Sequence, residues 1–237
     1  MILRTTTFAR SVCRKLGLIP ALARIRMLWH QPTYEDRFAP ALLNSIRPDD
    51  CVWDIGANIG FYTEQMSKLA KWVVAFEPIS ENVQQIMARH LANVDCQQLA
   101  LGDVDAELSM SESGQYSSIV SSPYVSANAP RQTVSVKPGD ALAELPKPDV
   151  VKIDVEGYEP EVIRGMPNVL RTVRAAFIEI HFMILESRGM LQAPAELVLQ
   201  LKILGFDKIK WVDASHIMAL RGHAPKGEMS LGSGKTS

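Results

Sequence analysis

Apolar runs typical of buried strands alternate with amphipathic helical patterns along the middle of the chain. Strands are predicted over residues 51–55, 72–76, 96–101, 150–155 and 175–182, followed by a hairpin-like pair over 206–212 and 216–220. Helices are predicted over residues 61–70, from an N-cap at Ser80, from Pro160, and between Pro194 and Gly205. Because strands that alternate with helices form parallel sheets covered on both faces, we predict an α/β fold with a mostly parallel sheet.

One stretch, residues 104–149, breaks this alternation. It is rich in Ser with scattered Gly and Pro, and it holds short alternating segments at residues 107–110 and 133–136. We therefore predict a β-rich insertion, or lid, before the fourth parallel strand.

The two ends of the chain differ from its middle. The basic residues of segment 1–33 all precede the first acid, Glu35, and its apolar residues recur at helical spacing at Leu18, Leu22, Ile25 and Trp29. This pattern predicts a basic N-terminal helical extension laid over the core or the active-site mouth. Peripheral membrane contact and an organellar transit peptide are the alternatives. Residues 222–237 are rich in Gly, Ser and Lys, which predicts a disordered tail and leaves 34–221 as the folded domain.

Composition limits the class of protein. Of 237 residues, 47% are hydrophobic and 22% are charged, which is the balance of one globular domain. The formal net charge is −1, so we expect no nucleic-acid partner. Cys13, Cys51 and Cys96 are far apart and odd in number, which favours a reducing, cytoplasmic setting over a disulfide framework. No apolar run reaches the ~20 residues that a membrane span needs.

A cofactor site is indicated where the first strand ends. Residues 52–60 have the pattern of a strand, a glycine-containing turn and a helix start. Gly56 lets the backbone approach a ligand, and Gly60 permits close contact between helix and strand. Asp54 lies at the carboxyl end of the strand, where open α/β sheets bind ligands. Glu77 ends the second strand and is placed to accept hydrogen bonds from a ribose diol.

Two nucleotide cofactors bind turns of this kind. A nicotinamide dinucleotide needs a G-x-G-x-x-G turn for its pyrophosphate, but Asn58 replaces the middle glycine here. The Asp54 carboxylate would repel a diphosphate, whereas S-adenosylmethionine has no phosphate and presents an ammonium and a sulfonium. The sequence therefore predicts S-adenosylmethionine, with an NAD-type oxidoreductase as the alternative.

Five motifs resemble the FkbM-type methyltransferases over roughly residues 34–221. They are Asp54-Ile-Gly-Ala-Asn-Ile-Gly60, Phe76-Glu-Pro78 with Asn82, Ala100-Leu-Gly-Asp103, Lys152-Ile-Asp-Val-Glu-Gly157 with Glu159, and Glu179-Ile-His181. The resemblance implies a class I, Rossmann-like methyltransferase with a seven-stranded sheet. It also implies that the methionine part of the cofactor is lined by Asp54, Gly56, Asn58 and Gly60. By the same resemblance Thr63 reaches the methionine carboxylate, Glu77 holds the ribose, and adenine is flanked by Ala100, Leu101 and Asp103.

Polar residues occur in the fourth and fifth predicted strands, where a sheet covered on both faces is normally apolar. Lys152, Asp154 and Glu156 alternate along one strand, and Glu179 and His181 alternate near the end of the next. An unpaired buried charge costs several kcal/mol, so these groups need a reason. A structural ion pair such as Lys152 with Glu179 is one explanation. A catalytic cluster at the carboxyl ends of the strands is the other, and it accounts better for the clustering.

Methyl transfer to a hydroxyl requires alignment of the oxygen and removal of its proton. His181 is predicted as the general base because its unperturbed pKa of ~6.5 lies near neutral pH. Asp154 would orient His181 or the substrate, and Glu156 and Glu179 complete the predicted catalytic set. Alternatively, Asp154 and Glu179 hold Mg²⁺ or another hard cation that binds the substrate oxygen. The remaining histidines are predicted to be surface or packing residues: His30, His90, His216 and His223.

These patterns together predict an S-adenosylmethionine-dependent O-methyltransferase. Its acceptor would be a hydroxyl of a small molecule or glycan, such as a sugar or a polyketide. A cofactor-binding protein with an idle catalytic site is the non-enzymatic alternative.

Overall fold

The computed structural model describes residues 35–111, 118–120 and 128–222. The chain divides into two units after Pro40, and the fold below is that of the second unit. The predicted N-terminal extension, the tail beyond Gly222, His30 and His223 lie outside the described residues. The predicted domain boundaries stay predictions.

The secondary structure alternates between strands and helices in chain order. The elements are α1 (Glu35–Leu43), β1 (Cys51–Ile55), α2 (Phe61–Ser67), β2 (Trp72–Phe76), α3 (Ser80–Met87), β3 (Val94–Gln97), β4 (Ala100–Gly102), β5 (Ala106–Ser111), β6 (Arg131–Pro138), a 3₁₀ turn (Gly139–Ala141), β7 (Val150–Ile153), α4 (Glu159–Gly165), α5 (Pro167–Thr172), β8 (Ala175–Glu179), α6 (Phe182–Ser187), α7 (Ala193–Ile203), β9 (Lys208–Trp211) and β10 (His216–Leu220).

The main sheet has seven strands in the order β3-β2-β1-β7-β8-β10-β9. The pairs from β3 across to β8 are parallel, and β10 runs antiparallel to both β8 and β9. Every residue of β1 and β7 is buried, which is typical of parallel strands covered on both faces. The predicted seven-stranded, mostly parallel sheet is confirmed.

Helices cover both faces of this sheet. On one face, Ile153 and Ile178 belong to the same apolar cluster as Val162 of α4 and Leu201 of α7. On the other face, Ala75 of β2 packs in a separate cluster with Ile86 of α3. None of the helices in the described part of the chain has both the length and the apolar character needed to cross a bilayer.

A second, three-stranded sheet has the order β4-β6-β5. Its antiparallel pair β5–β6 lies inside the predicted insertion, whose role as a lid stays a prediction. The prediction of one strand over 96–101 is wrong, because β3 ends in the main sheet and β4 pairs with β6 in the smaller one. Packing contributes to this division. The backbones of β4 and α4 approach so closely that a Cβ on Gly165 would lie 1.7 Å from the Gly102 carbonyl oxygen.

Three local predictions differ from the structure. Strand β7 ends at Ile153, so Asp154 and Glu156 lie in the following turn, and β8 ends at Glu179, so His181 lies at the start of α6. The N-cap of α3 is Ile79 rather than Ser80. The Ser80 hydroxyl donates instead to the neighbouring Glu81 side chain at 3.0 Å, so it does not cap the helix.

Candidate active site

The glycine turn after β1 is held against the ends of two neighbouring strands. The Gly56 and Ala57 N–H groups both donate to the Phe76 carbonyl at 3.0 Å. Gly56 has a φ of 80°, and a Cβ there would lie 1.9 Å from the Asp154 carbonyl oxygen. Asn58, with a φ of 50°, supplies a second left-handed residue. The turn thus requires glycine at position 56, because the backbones of the two segments that follow β1 and β7 nearly touch there.

Glu77 connects this turn to the start of α3. Its Oε2 accepts from the Asn58 N–H at 2.9 Å, and its Oε1 accepts from the Ile79 N–H at 2.9 Å and the Asn82 side-chain amide at 3.2 Å. Three of the roughly four acceptor positions of a carboxylate are thus occupied, and one on Oε2 is left for a ligand. Burial raises the pKa of Glu77, and the donors Ile79, Asn82 and Asn58 offset part of that rise.

A cavity, part of it open to solvent, lies beside the turn. Seven residues of the predicted site line it: Gly56, Asn58, Glu77, Ala100, Leu101, Asp154 and Glu156. The other lining residues were not predicted to contact a ligand: Ile55, Phe76, Pro78, Asn82, Met110, Ile119, Val155 and Tyr158. The lining described for this cavity includes three acids and no basic side chain.

The other four predicted cofactor residues are not among the lining residues described for this cavity. Thr63 is fully buried and donates its hydroxyl to Asp54 Oδ2 at 2.6 Å, so that hydroxyl is engaged within the protein. Gly60 packs against Ile86, and Asp103 pairs with Arg164 at 2.9 Å. The contacts with cofactor that the resemblance implies for Asp54, Gly60, Thr63 and Asp103 stay predictions.

Lys152 is buried between two carboxylates. Its Nζ lies 3.2 Å from Asp54 Oδ1 and 3.4 Å from Asp154 Oδ2. The suggested pairing of Lys152 with Glu179 is wrong, because Glu179 lies on β8 beside two histidines. Burial alone would lower the pKa of Lys152, but the charges of Asp54 and Asp154 outweigh it and raise that pKa. Burial likewise opposes ionisation of Asp154, yet Lys152 and His181 lower its pKa.

His181 lies at the centre of a group of carboxylates. Its Nε2 is 3.4 Å from Glu156 Oε2, 3.7 Å from Asp154 Oδ1 and 4.0 Å from Glu179 Oε1. Its Nδ1 is 2.6 Å from Glu159 Oε1, so the close partner on that side is Glu159 rather than Asp154. Burial would lower the pKa of His181, but Glu159 and Glu156 raise it well above the ordinary value. The expected near-neutral pKa is therefore corrected upward, because carboxylates stabilise the imidazolium.

His216 adds a second histidine that the sequence analysis did not connect with the site. It is almost fully buried, with Nε2 3.3 Å from Glu179 Oε2 and Nδ1 2.9 Å from Asp213 Oδ2. Burial would lower the pKa of His216, but its contacts with Glu179 and Asp213 raise it. Because β10 is antiparallel to β8, its first residue meets the last residue of β8, and His216 reaches the edge of the sheet where the site lies.

The candidate metal ligands in the structure differ from the predicted pair, Asp154 and Glu179. Among the described residues, Asp154, Glu156 and His181 each offer one ligand atom within 4.8 Å of the others. The predicted partner of Asp154, Glu179, is not in this group. Mg²⁺ prefers oxygen ligands, so a set containing an imidazole does not point to that ion.

Comparisons with known proteins agree with this fold. The family model for the methyltransferase FkbM domain matches residues 54–208. Hexuronic acid methyltransferase AglP of Haloferax volcanii is 36% identical to the chain over 151 residues, and the alignment covers 59% of this chain and 59% of that relative. The chain thus matches about three-fifths of the curated relative's length.

A solved structure gives a likeness of fold. The methyltransferase FkbM of Methylobacillus flagellatus KT superposes with a TM-score of 0.52 at 14% identity, over 74% of this chain and 44% of that one. The sheet order and the antiparallel β10 are those of a class I methyltransferase.

Proposed function

The chain belongs to the FkbM family of methyltransferases, and on that premise we propose that it is an S-adenosylmethionine-dependent O-methyltransferase whose acceptor is a sugar hydroxyl. The observation that carries this proposal is the acid-lined cavity whose Asp154 and Glu156 also flank Nε2 of His181. The name of the hexuronic acid methyltransferase relative supports the sugar as acceptor class.

The charge of the cavity supports the choice of cofactor. Glu77, Asp154 and Glu156 suit the cationic ammonium and sulfonium groups and would repel the pyrophosphate of NAD. Glu77 would hold the ribose through the acceptor position left on Oε2, and Phe76 and Leu101 offer apolar surface for adenine. When bound, S-adenosylmethionine supplies an electrophilic methyl group on sulfur.

His181 would act on the acceptor. Its Nε2 takes the proton of the hydroxyl as the oxygen becomes a nucleophile. Asp154, Glu156 and Glu179 surround that nitrogen and stabilise the imidazolium that forms. Because His181 is largely buried, the proton passes directly between two positioned groups.

The same carboxylates bear on which acceptor oxygen reacts. A hexuronic acid carries hydroxyls and a carboxylate. An acceptor carboxylate next to Asp154 and Glu156 would be repelled by their negative charges. A carboxylate oxygen also carries no proton, so its methylation needs no general base. A neutral hydroxyl avoids this repulsion and uses His181.

The proposal is tested by incubating the protein with S-adenosylmethionine and a panel of acceptors. The panel holds neutral hexoses, hexuronic acids, glycans with either sugar, and lipid and polyketide alcohols. We expect S-adenosylhomocysteine release with a sugar and a product that gains one methyl as an alkali-resistant ether. An alkali-labile ester would contradict the hydroxyl assignment. Binding of the cofactor without transfer to any acceptor would favour the idle-site alternative.

Replacing Glu77 by alanine should weaken S-adenosylhomocysteine binding by about 1.5–3 kcal/mol for the charge-assisted hydrogen bond lost, or about 10- to 150-fold in Kd. Titration calorimetry measures this, with NAD as the ligand expected not to bind. Glu81→Ala, which replaces an exposed acid on α3, the helix that follows Glu77, is the matched control and should bind normally. Unchanged affinity in Glu77→Ala would show that Glu77 does not hold the ribose.

A further inference from the structure

We infer that Glu159 is the positioning residue of His181: it fixes the imidazole so that Nε2, and not Nδ1, meets the acceptor. This inference rests on the proposed function, since it concerns the group that takes the hydroxyl proton. Glu159 would act through His181 and need not touch cofactor or acceptor.

The contact between the two side chains sets the orientation of the ring. His181 Nδ1 lies 2.6 Å from Glu159 Oε1, and a carboxylate oxygen accepts, so Nδ1 donates its proton. This holds for both the neutral and the protonated imidazole. The other nitrogen then faces Asp154 and Glu156, which line the cavity. In the neutral ring, Nε2 is the nitrogen left with a lone pair to accept a proton.

Glu159 also ties together the two loops that carry the site. Its Oε1 accepts a second hydrogen bond, from the Gly157 N–H at 2.9 Å in the turn after β7. Gly157 packs so closely on α6 that a Cβ there would lie 2.3 Å from Ile184 Cγ2. One carboxylate oxygen therefore links the turn that holds Asp154 and Glu156 to His181, the N-cap residue of α6.

The environment of Glu159 favours a functional role over simple stabilisation. The residue is fully buried, and within the described part of the chain its Oε2 has no hydrogen-bond partner. An unsatisfied buried carboxylate oxygen is costly, so a carboxylate selected for stability alone would be expected to use both oxygens. Glu161, two residues on in the same helix, shows the contrast, because each of its oxygens lies near an arginine.

The test compares Glu159→Ala and Glu159→Gln in the parent protein and in His181→Ala. In the parent background, Glu159→Ala should lower kcat about 10- to 100-fold. This fall should not exceed the fall in kcat caused by removing the base itself in His181→Ala. S-adenosylhomocysteine affinity should stay unchanged. Glu159→Gln keeps an acceptor for Nδ1 and should retain more activity. In the His181→Ala background both changes should have little further effect, because the residue through which Glu159 acts is gone. Glu161→Gln is the matched control and should keep kcat.

A readout independent of turnover is the His181 Nδ1 proton. In the parent protein it should appear downfield in the NMR spectrum and exchange slowly. It should vanish in Glu159→Ala and persist in Glu159→Gln. Equal losses of kcat in both backgrounds, or an Nδ1 proton that is unaffected by Glu159→Ala, would overturn the inference. If Glu159→Ala does not fold, the inference is tested by the kcat of Glu159→Gln in both backgrounds and by the Nδ1 proton in the spectrum of the parent protein. Absence of turnover by the parent would count against the proposed function, while the Nδ1 proton would still test Glu159.

Discussion

Replacing His181 by alanine is expected to lower turnover by about 10²–10⁴-fold, the usual contribution of a general base. S-adenosylhomocysteine affinity should stay nearly intact, because His181 is not among the residues that line the cavity. Since Glu159 and Glu156 raise the pKa of His181, the deprotonated ring becomes abundant only at a pH above its ordinary ~6.5. The acid limb of kcat/KM should therefore lie above that value in the parent protein and disappear in His181→Ala.

Two controls separate this scheme from metal activation. His90→Ala removes an exposed histidine and should leave turnover unchanged. If a metal bound to Asp154, Glu156 and His181 activates the hydroxyl, a chelator should abolish turnover of the parent and an added ion should restore it. Near-normal turnover of His181→Ala with an unshifted pH profile would exclude His181 as the base.

Replacing Lys152 by methionine is expected to lower the free energy of unfolding by about 3–5 kcal/mol, because it leaves a buried carboxylate without its cationic partner. Asp54 is fully buried, and Lys152 Nζ lies 3.2 Å from its Oδ1. Methionine keeps much of the length of the side chain, so the loss reports the charge rather than a cavity. Urea or thermal unfolding of the parent and the variant measures it.

The matched controls vary burial and charge. Lys68→Met breaks the exposed pair with Glu64 and should have a much smaller effect. Adding Asp54→Asn to Lys152→Met removes the stranded carboxylate and should recover part of the loss. A loss for Lys152→Met no larger than that for Lys68→Met would contradict the buried ion pair as a stabilising element.

The central sheet was predictable because short apolar runs in the local sequence indicate its buried strands. In β1, β2, β7 and β8, apolar runs mark strands that both layers of helices cover. The division of 96–101 into β3 and β4 was not predictable. It depends on β6 and on the close approach of Gly102 and Gly165, which lie far apart in the chain.

The site shows the same limit. Gly56, Asn58 and Glu77 could be identified from spacing, since one strand–turn–helix unit and the next strand bring them together. The partner of Lys152 depends on which strands are neighbours: β7 pairs with β1, and Lys152 lies opposite Asp54. His216 faces Glu179 only because β10 enters the sheet in reverse. Glu159 belongs to one of the motifs named above, but its contact with His181 could not be predicted, because it depends on how α6 packs against the turn after β7.

The reversed strand also has a consequence for synthesis. β9 leaves the ribosome before β10, yet β10 lies between it and β8. Until residue 220 has emerged, β9 has no neighbouring strand to pair with in the sheet. Strand β8 is then an open edge, although four of its five residues are buried in the finished fold. Open apolar edges recruit strands from other chains. A nascent chain stalled before β10 is thus prone to aggregate, and its Glu179 lacks the neighbouring His216.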